Sequence, residues 1–302
     1  KPLNIWSYSN ETKITKQIAN SRCNISSEIF VKPELIKYKS FDGLEIPAFI
    51  YLPKNKKAAS VIINIHGGPE YQYTPDFAPL TQYFVHKGYA VVAPNVRGST
   101  GYGKEYQSLD DREKRMDSVK DLEGLYNYLK QRKDINSEKI ALLGGSYGGY
   151  MVLAGLSFQP DLWAAGVCIC GISNLVTFLQ NTSNYRRKLR ESEYGYLATQ
   201  KEMLEKLSPI NSIEKINVPL LVMHGKNDPR VPLSEAEQQV HHHRPQAGQG
   251  RGDPAHGATG RGDRQEGRRG GEAEVRAAAD HRQGRRHQRR GDQAAGARGA
   301  AG

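Results

Sequence analysis

Beginning at Val61, short apolar runs alternate with amphipathic segments, and this alternation restricts the possible folds more than any other feature of the chain. The runs typical of buried strands are residues 61–65, 89–94, 140–143, 165–170 and 220–224. Helical spacing is found at 77–86 and 117–132, and a helix is expected from Met151 onward. Buried strands that alternate with helices predict an α/β fold with a mostly parallel, doubly wound sheet.

Strands are also predicted before this region, at 35–39 and 46–52, joined by the turn Ser40-Phe41-Asp42-Gly43. Pro47 in the second strand favours an edge position, because proline lacks the N–H that an inner strand donates. Residues 174–210 are polar and helical, which we interpret as an insertion covering a site. Within 1–33 we predict only one strand and a turn, which cannot bury a core and so indicate the end of something larger.

The run at 140–143 leads into Gly144-Gly145-Ser146-Tyr147-Gly148 and then directly into the predicted helix. Strand, sharp turn and helix are the context of a nucleophile elbow, with the serine at the tip of the turn. The first N–H groups of the helix favour negative charge there. The sequence therefore predicts that Ser146 attacks a carbonyl; the alternative is an ordinary serine in a glycine-rich turn.

Two further strings suit the same chemistry. His66-Gly67-Gly68-Pro69 directly follows the strand at 61–65 and offers a backbone N–H for an oxyanion hole, with the N–H of Tyr147 as second donor. Asp228 follows the strand at 220–224 and comes after Ser146 in the chain, as the acid of an α/β-hydrolase does. Taken alone, each string also fits a plain turn at the end of a strand.

Together these strings resemble the prolyl oligopeptidase family of serine peptidases, in particular its acylaminoacyl-peptidase and dipeptidyl-peptidase-like branch. The matching strings are Ser40 to Gly43, His66 to Pro69, Asn95 to Gly103, Gly144 to Tyr150 and Asp228 to Pro232. The resemblance implies an α/β-hydrolase domain at 34–240, preceded by a β-propeller of which 1–33 is a remnant. It implies that Ser146 is the nucleophile and Asp228 the acid, that Gly68 and Tyr147 are the oxyanion donors, and that Arg230 holds a carbonyl of a short peptide substrate.

The sequence departs from that family at the catalytic base. In the family, one more strand follows the acid, and the catalytic histidine comes after it, a few tens of residues beyond the acid. The first 240 residues contain only His66, His86 and His224, all of which precede Asp228. The best placed later histidine is His256, 28 residues after Asp228, with no strand-like segment before it. Its assignment depends on sequence order alone.

The tail, residues 241–302, differs in composition from the rest of the chain. It has no Lys, Leu, Ile, Phe, Tyr, Trp or Met, and its 13 Arg and 7 acidic residues carry +6 of the total charge of +11. Such a segment cannot bury enough apolar surface to offset its ordering entropy, so we expect disorder. The abrupt change near Gln239 indicates a frameshift or a chimeric join. An arginine-rich nucleic-acid arm is the alternative, disfavoured because the tail has no aromatic residues for base stacking.

Cys23, Cys168 and Cys170 are too few and too irregular for a disulfide framework or a metal site, and they indicate buried thiols in the cytoplasm. We expect no membrane span, no signal peptide and no cofactor, although a chain that begins at Lys1 could have lost a signal. Three functions stay open: a serine peptidase for short peptides, an esterase of the same fold, and a catalytically dead fragment that lacks its histidine.

Overall fold

The computed structural model describes residues 4–20, 25–54, 57–242 and 274–277. The strands are β1 (Ile5–Tyr8), β2 (Thr15–Ala19), β3 (Glu34–Lys39), β4 (Glu45–Tyr51), β5 (Ala59–Ile65), β6 (Ala90–Pro94), β7 (Ile135–Gly145), β8 (Ala165–Ile169), β9 (Leu220–His224) and β10 (Glu274–Ala277). The helices are α1 (Pro79–His86), α2 (Lys104–Gln107), α3 (Arg115–Lys130), α4 (Tyr147–Phe158), α5 (Leu175–Asn181), α6 (Asn184–Tyr194), α7 (Lys201–Leu207) and α8 (Leu233–His242).

The main sheet has the order β10-β9-β8-β7-β5-β6-β4-β3, and β1 pairs with β2 in a separate hairpin. The five strands from β9 to β6 run parallel, whereas β3, β4 and β10 are antiparallel to their neighbours. This confirms the mostly parallel sheet of an α/β-hydrolase. It also places the ends of β5, β7, β8 and β9 side by side at one edge of the sheet.

The core lies where the predicted apolar runs meet the helices. Every residue of β6 is buried, and β5 buries alternate residues. The face predicted for the helix at 117–132 is the buried face of α3, with Val119, Leu122, Leu125 and Leu129 inaccessible to solvent. Helix α4 buries almost its whole surface, as expected for a helix that is apolar on all sides.

The edge position predicted for Pro47 is wrong, because β4 lies between β3 and β6. The ladder with β6 begins only at Ala48, and Pro47 contributes its carbonyl, which accepts the N–H of Asn95 at 2.9 Å. The missing N–H of Pro47 therefore falls outside that ladder, and the strand tolerates the proline.

The sequence did not predict helix α8, which is held by a buried carboxylate. Glu235 accepts the backbone N–H groups of Ser173 and Asn174, at 3.0 and 2.9 Å, at the start of α5. The insertion predicted at 174–210 is helical, with α5, α6 and α7 inside it. Among the residues that the structure describes, no helix has the length and the apolar character needed to cross a bilayer.

Beyond the end of α8, the structure describes Glu274–Ala277 of the tail, a strand that the sequence did not predict. Its backbone pairs antiparallel with β9 from His224 to Leu221. A parallel strand at the edge of a sheet presents unpaired N–H and C=O groups, and any extended backbone can satisfy them.

Candidate active site

Ser146 lies at the tip of the turn between β7 and α4. Its φ and ψ are 56° and −119°, a conformation that is costly for a residue with a Cβ. The N–H of Ser146 donates to the carbonyl of Ile169 at 2.9 Å, so the neighbouring strand β8 holds the strained turn in place. The side chain is half-buried. The predicted strand–turn–helix context of this serine is therefore confirmed.

Glycines bring the elbow against the end of β5. A Cβ on Gly148 would collide with the carbonyl oxygen of Ile65, and one on Gly67 would lie 3.5 Å from the Cβ of Ser146. The turn after β5 therefore lies directly against the serine. Gly68, the next residue, has a φ of 127°, which favours glycine.

Tyr147 is the first residue of α4, and its N–H has no acceptor within the helix. The positive end of the helix dipole is at the same place. A backbone donor beside Ser146 and a glycine turn on its other side together suit a group that becomes negatively charged when a nucleophile attacks it.

Asp228 joins the site through the neighbouring strands. The N–H of Cys170, at the end of β8, donates to the carbonyl of Met223 in β9 at 2.7 Å, and Ser146 is bonded to the same end of β8. Asp228 lies four residues beyond the end of β9. The ends of β7, β8 and β9 thus bring Ser146 and Asp228, which are far apart in the sequence, to the same edge of the sheet.

The carboxylate of Asp228 is oriented by its own loop. Its Oδ1 accepts the N–H groups of Arg230 at 2.8 Å and Val231 at 3.0 Å, and Oδ2 accepts no hydrogen bond from the described residues. Burial raises the pKa of Asp228, but these N–H groups and the nearby His224 and Arg230 lower it more, so that the net pKa lies below the ordinary value. Asp228 is therefore an anion at neutral pH with one oxygen available to a partner.

The histidines of the first 240 residues have other contacts. The Nδ1–H of His66 donates to the carbonyl of Gly67 at 2.7 Å, its Nε2 lies 2.8 Å from the hydroxyl oxygen of Ser99, and burial lowers its pKa. His224 contacts the carbonyl of Val231 through Nε2 at 2.9 Å. His66 thus supports the glycine turn and His224 supports the Asp228 loop, while His86 lies exposed on α1. His256 lies outside the described residues.

Arg230 is exposed, and its guanidinium makes no hydrogen bond or ion pair within the part of the chain that the structure describes. It borders a surface pocket between the Asp228 loop and helices α5 and α6. The sequence predicted this arginine as a contact for substrate but did not predict the pocket.

Sequence reasoning also missed a buried charge cluster beneath the elbow. Arg115 is inaccessible to solvent, pairs with Asp110, and donates to the hydroxyl of Tyr147 at 3.2 Å and to the carbonyl of Glu193 at 3.0 Å. The Tyr147 hydroxyl in turn donates to Asp110 at 3.1 Å. The cluster therefore holds the side chain of Tyr147, whose backbone N–H lies beside Ser146. Its only signal in the sequence is the number of charges at 110–115, a pattern shared by any solvated loop.

A second cluster of charges links two sequence motifs, the turn Ser40 to Gly43 and the loop Asn95 to Gly103. Arg97 donates to Asp42 at 2.9 and 3.0 Å and to the buried Asp121 at 2.9 to 3.1 Å. The ring of Phe41 lies under its guanidinium, 4.8 Å away. Ser40 donates to Asp121 at 2.5 Å. The turn after β3 and the loop after β6 are therefore one structural unit, which explains why both motifs occur together.

Comparison with known proteins identifies relatives of the chain. A sequence profile of the prolyl oligopeptidase family matches residues 75–251. Dipeptidyl aminopeptidase BIII of Pseudoxanthomonas mexicana is 30% identical over an alignment of 253 residues, which covers 79% of this chain and 37% of that protein. The acylamino-acid-releasing enzyme of Mus musculus is 28% identical over an alignment of 212 residues, which covers 67% of this chain and 29% of that protein.

Solved structures agree with these relatives. The acylaminoacyl peptidase of Pyrococcus horikoshii superposes with a TM-score of 0.72 at 28% identity, over 81% of this chain and 40% of that one. A puromycin hydrolase superposes with a TM-score of 0.75 over 80% of this chain and 38% of that one, but at 21% identity it shows the fold alone. The chain spans well under half the length of the relatives it matches. Because the profile covers more than half of it, the chain belongs to the prolyl oligopeptidase family.

Proposed function

We propose that this chain carries the catalytic domain of a serine peptidase, which hydrolyses short peptides through an acyl-enzyme intermediate on Ser146. The observation that carries the proposal is the close approach of Gly67 to Ser146, where an added Cβ would be 3.5 Å from the serine Cβ. This approach brings a donor turn and a nucleophile elbow to one place. The relatives named a dipeptidyl aminopeptidase and an acylamino-acid-releasing enzyme support peptides as the substrate class.

In the proposed reaction, the Oγ of Ser146 attacks the peptide carbonyl carbon and transfers its proton to a histidine. The N–H groups of Gly68 and Tyr147 stabilise the oxyanion, and the histidine then protonates the leaving amine. Water hydrolyses the acyl-enzyme by the same route in reverse. The free oxygen of Asp228 orients the histidine, for which His256 is our candidate because it comes after the acid in the order of the fold.

Arg230 is proposed to hold a backbone carbonyl of the bound peptide. Its guanidinium is exposed two residues after Asp228, and its own N–H is used to orient that carboxylate. A planar guanidinium with several donors suits a carbonyl acceptor better than a lysine would.

The proposed domain organisation is a peptidase domain at 34–240, a remnant of a preceding domain at 1–33, and a tail of foreign origin at 241–302. Ile5, Trp6 and Ile18 on the β1–β2 hairpin are 63%, 57% and 64% exposed, which indicates an apolar face that the described residues do not cover. Sequencing the DNA across the codons for 238–244 tests the foreign tail: an uninterrupted reading frame in the source genome would refute it.

A cytoplasmic location is also part of the proposal. Both cysteines that the structure describes, Cys168 and Cys170, are free thiols, as is usual in a reducing compartment. Nucleic acid is not a proposed partner. Fractionation of the source cells, followed by immunodetection of the chain, would test the location.

The function is tested by comparing hydrolysis of a peptidyl anilide with that of a simple acyl ester, beside labelling by a fluorophosphonate. In every activity assay that does not test the tail itself, residues 241–302, which we propose to be foreign, are replaced by the matching C-terminal segment of a relative. The expected result is that peptide hydrolysis and labelling of this repaired chain are both lost in Ser146→Ala. Ester hydrolysis without peptide hydrolysis would identify an esterase of the same fold. A folded chain that neither hydrolyses substrate nor takes up label would identify an inactive fragment.

A further inference from the structure

The pocket between the Asp228 loop and α6 is lined by three arginines, Arg186, Arg190 and Arg230. Among the described residues that line it, none is Asp or Glu, and the others are polar, aromatic or proline residues. Three cations around one pocket repel each other unless an anion lies among them. Their arrangement therefore requires an explanation beyond the fold.

Two of the three arginines have no hydrogen-bonding partner for their guanidinium groups among the described residues. Arg186 is half-buried on α6 and Arg230 is exposed, and neither guanidinium makes a hydrogen bond or ion pair there. Arginines that only stabilise a fold usually bond to carboxylates or carbonyls, as Arg187 does when it donates to the carbonyls of Gln180 and Thr182. Arg186 is the neighbour of Arg187 but faces the pocket.

The third arginine connects the pocket to the site. Arg190 donates to the carbonyl of Gly68 at 3.3 Å, in the turn that lies against Ser146. Arg230 borders the pocket from the opposite side, in the loop that carries Asp228. A peptide held at Ser146 thus has this pocket beside it.

Two carboxylates lie near these arginines: Asp228 is close to Arg230, and Glu193 is the one that pairs with Arg190. Glu193 lies 3.9 Å from Arg190 but 3.5 Å from Arg115, which also pairs with Asp110. Burial raises the pKa of Glu193 to about 8, so this group is mostly protonated at neutral pH. Arg190, which lies over the rings of Phe178 and Tyr194, then has no ionised partner in Glu193 at neutral pH.

We propose that this pocket binds a carboxylate of the peptide substrate, with Arg186 as the residue that determines specificity. The inference deepens the proposed function and depends on it for the nature of the ligand. The carboxylate has two possible sources, the side chain of Asp or Glu and the free C-terminus, and both present the same planar pair of oxygens to the guanidinium groups.

The test measures binding separately from turnover, by fluorescence polarisation of labelled peptides on the full chain. Four peptides differ only in Glu against Gln and in a free against an amidated C-terminus. We expect the peptide with the relevant carboxylate to bind about tenfold or more tightly than its neutral counterpart, as a charged hydrogen bond allows. Preference for Glu identifies a side chain as the ligand, and preference for the free C-terminus identifies the terminal carboxylate.

Arg186→Gln should remove the preference, and Arg186→Lys should retain part of it. Lys188→Gln is the matched control, because Lys188 carries the same charge on the same helix, is exposed, and does not line the pocket. Circular dichroism of each variant verifies that it is folded. Equal binding of all four peptides to the native chain would overturn the proposal, and so would a preference that persists in Arg186→Gln.

Anilide hydrolysis, measured in parallel, separates this proposal from the proposed function. A binding preference without any hydrolysis, in a chain whose tail is replaced by the C-terminal segment of a relative, would leave the pocket in place and refute the peptidase. Hydrolysis with equal binding of charged and neutral peptides would refute the pocket and leave the peptidase.

Discussion

The backbone of Ser146 carries a cost that is independent of its side-chain chemistry. With φ at 56° and ψ at −119°, a residue that has a Cβ is strained by about 1–3 kcal/mol. An alanine at position 146 keeps the Cβ and therefore the backbone strain, whereas a glycine has no Cβ and relieves the strain. Comparison of the two variants thus separates the geometry of the elbow from its reaction.

We predict that Ser146→Ala and Ser146→Gly both lose about 10⁴–10⁶-fold in peptide hydrolysis, because both lack the hydroxyl. Ser146→Gly should nevertheless be more stable than Ser146→Ala by about 0.5–2 kcal/mol, the strain relieved minus the entropy that glycine loses on folding. Activity assays and denaturant titrations measure the two quantities. If Ser146→Gly were instead less stable than Ser146→Ala by about 0.5–1 kcal/mol, the entropy loss alone, the elbow would be unstrained.

Arg230 offers a second prediction at this scale. Arg230→Ala should reduce peptide cleavage by about ten- to hundredfold, the value of a charged hydrogen bond, and reduce cleavage of a simple ester much less. The reason is that a small ester has no second carbonyl for the guanidinium. The control is Lys226→Ala, an exposed cation in the same loop. Equal losses on peptide and ester would assign Arg230 a structural role.

Among the elements, α6 contributes to both the pocket and the buried cluster. Glu193 near its end contacts Arg115, and Arg190 one turn earlier contacts the glycine turn. Arg115 lies beside two carboxylates, Glu193 and Asp110, but a single cation can compensate only one negative charge at low cost. Both carboxyl groups are buried, and burial raises the pKa of Glu193 to about 8 and the pKa of Asp110 to about 6.

This arrangement predicts a pH dependence of stability. Between its ordinary pKa of 4.5 and its folded pKa of about 8, Glu193 is protonated in the folded chain and ionised in the unfolded one. The folded state binds more protons in this window, so the free energy of unfolding falls as pH rises through it. Glu193→Gln, which stays neutral, should show a flatter profile.

The measurement is the midpoint of thermal unfolding across this pH window, for the native chain, Glu193→Gln and the control Glu202→Gln, an exposed acid on α7. Asp110 retains a smaller slope in the variant, mainly below pH 6. If Glu193→Gln and the native chain had parallel profiles, Glu193 would be ionised in the folded state.

At the scale of the whole molecule, the decisive segment is the one that comes after β9. The described residues place β10 antiparallel on its edge, whereas the resemblance to the family implies one more strand and then the histidine. A serine without its base is not deprotonated at neutral pH and retains only a small residual rate. The edge of β9 also remains open to aggregation when nothing pairs with it.

We predict that the chain as written is weakly active or inactive and that a repaired chain is active. The repaired chain joins residues 1–240 to the matching C-terminal segment of the Pyrococcus horikoshii acylaminoacyl peptidase. Solubility and peptide hydrolysis are compared for the unaltered chain, the chain without 241–302, and the repaired chain. The prediction is wrong if the unaltered chain hydrolyses peptides as fast as the repaired one and loses this activity in His256→Ala or when the tail is deleted. In that case the tail supplies a working histidine.

The sequence alone determined the parts of this protein that depend on local spacing. Apolar residues at strand and helix periods predicted β5 to β9, α1, α3 and α4, and the glycines around Ser146 predicted the elbow, because backbone geometry at a turn depends on the residues in it. The order of serine before acid supports Asp228 as the partner of Ser146, and this assignment stays a prediction.

Only the tertiary structure decided which distant residues become neighbours. Pro47 lies in an inner strand, Arg115 supports Tyr147 from beneath, and Arg186 meets Arg230 across a pocket, although no local pattern marks any of these contacts. The physical reason is that a side chain's partners are set by strand order and helix packing, which are long-range outcomes of burying one core. Local spacing specifies an element, whereas the chemistry around it depends on what packs against that element.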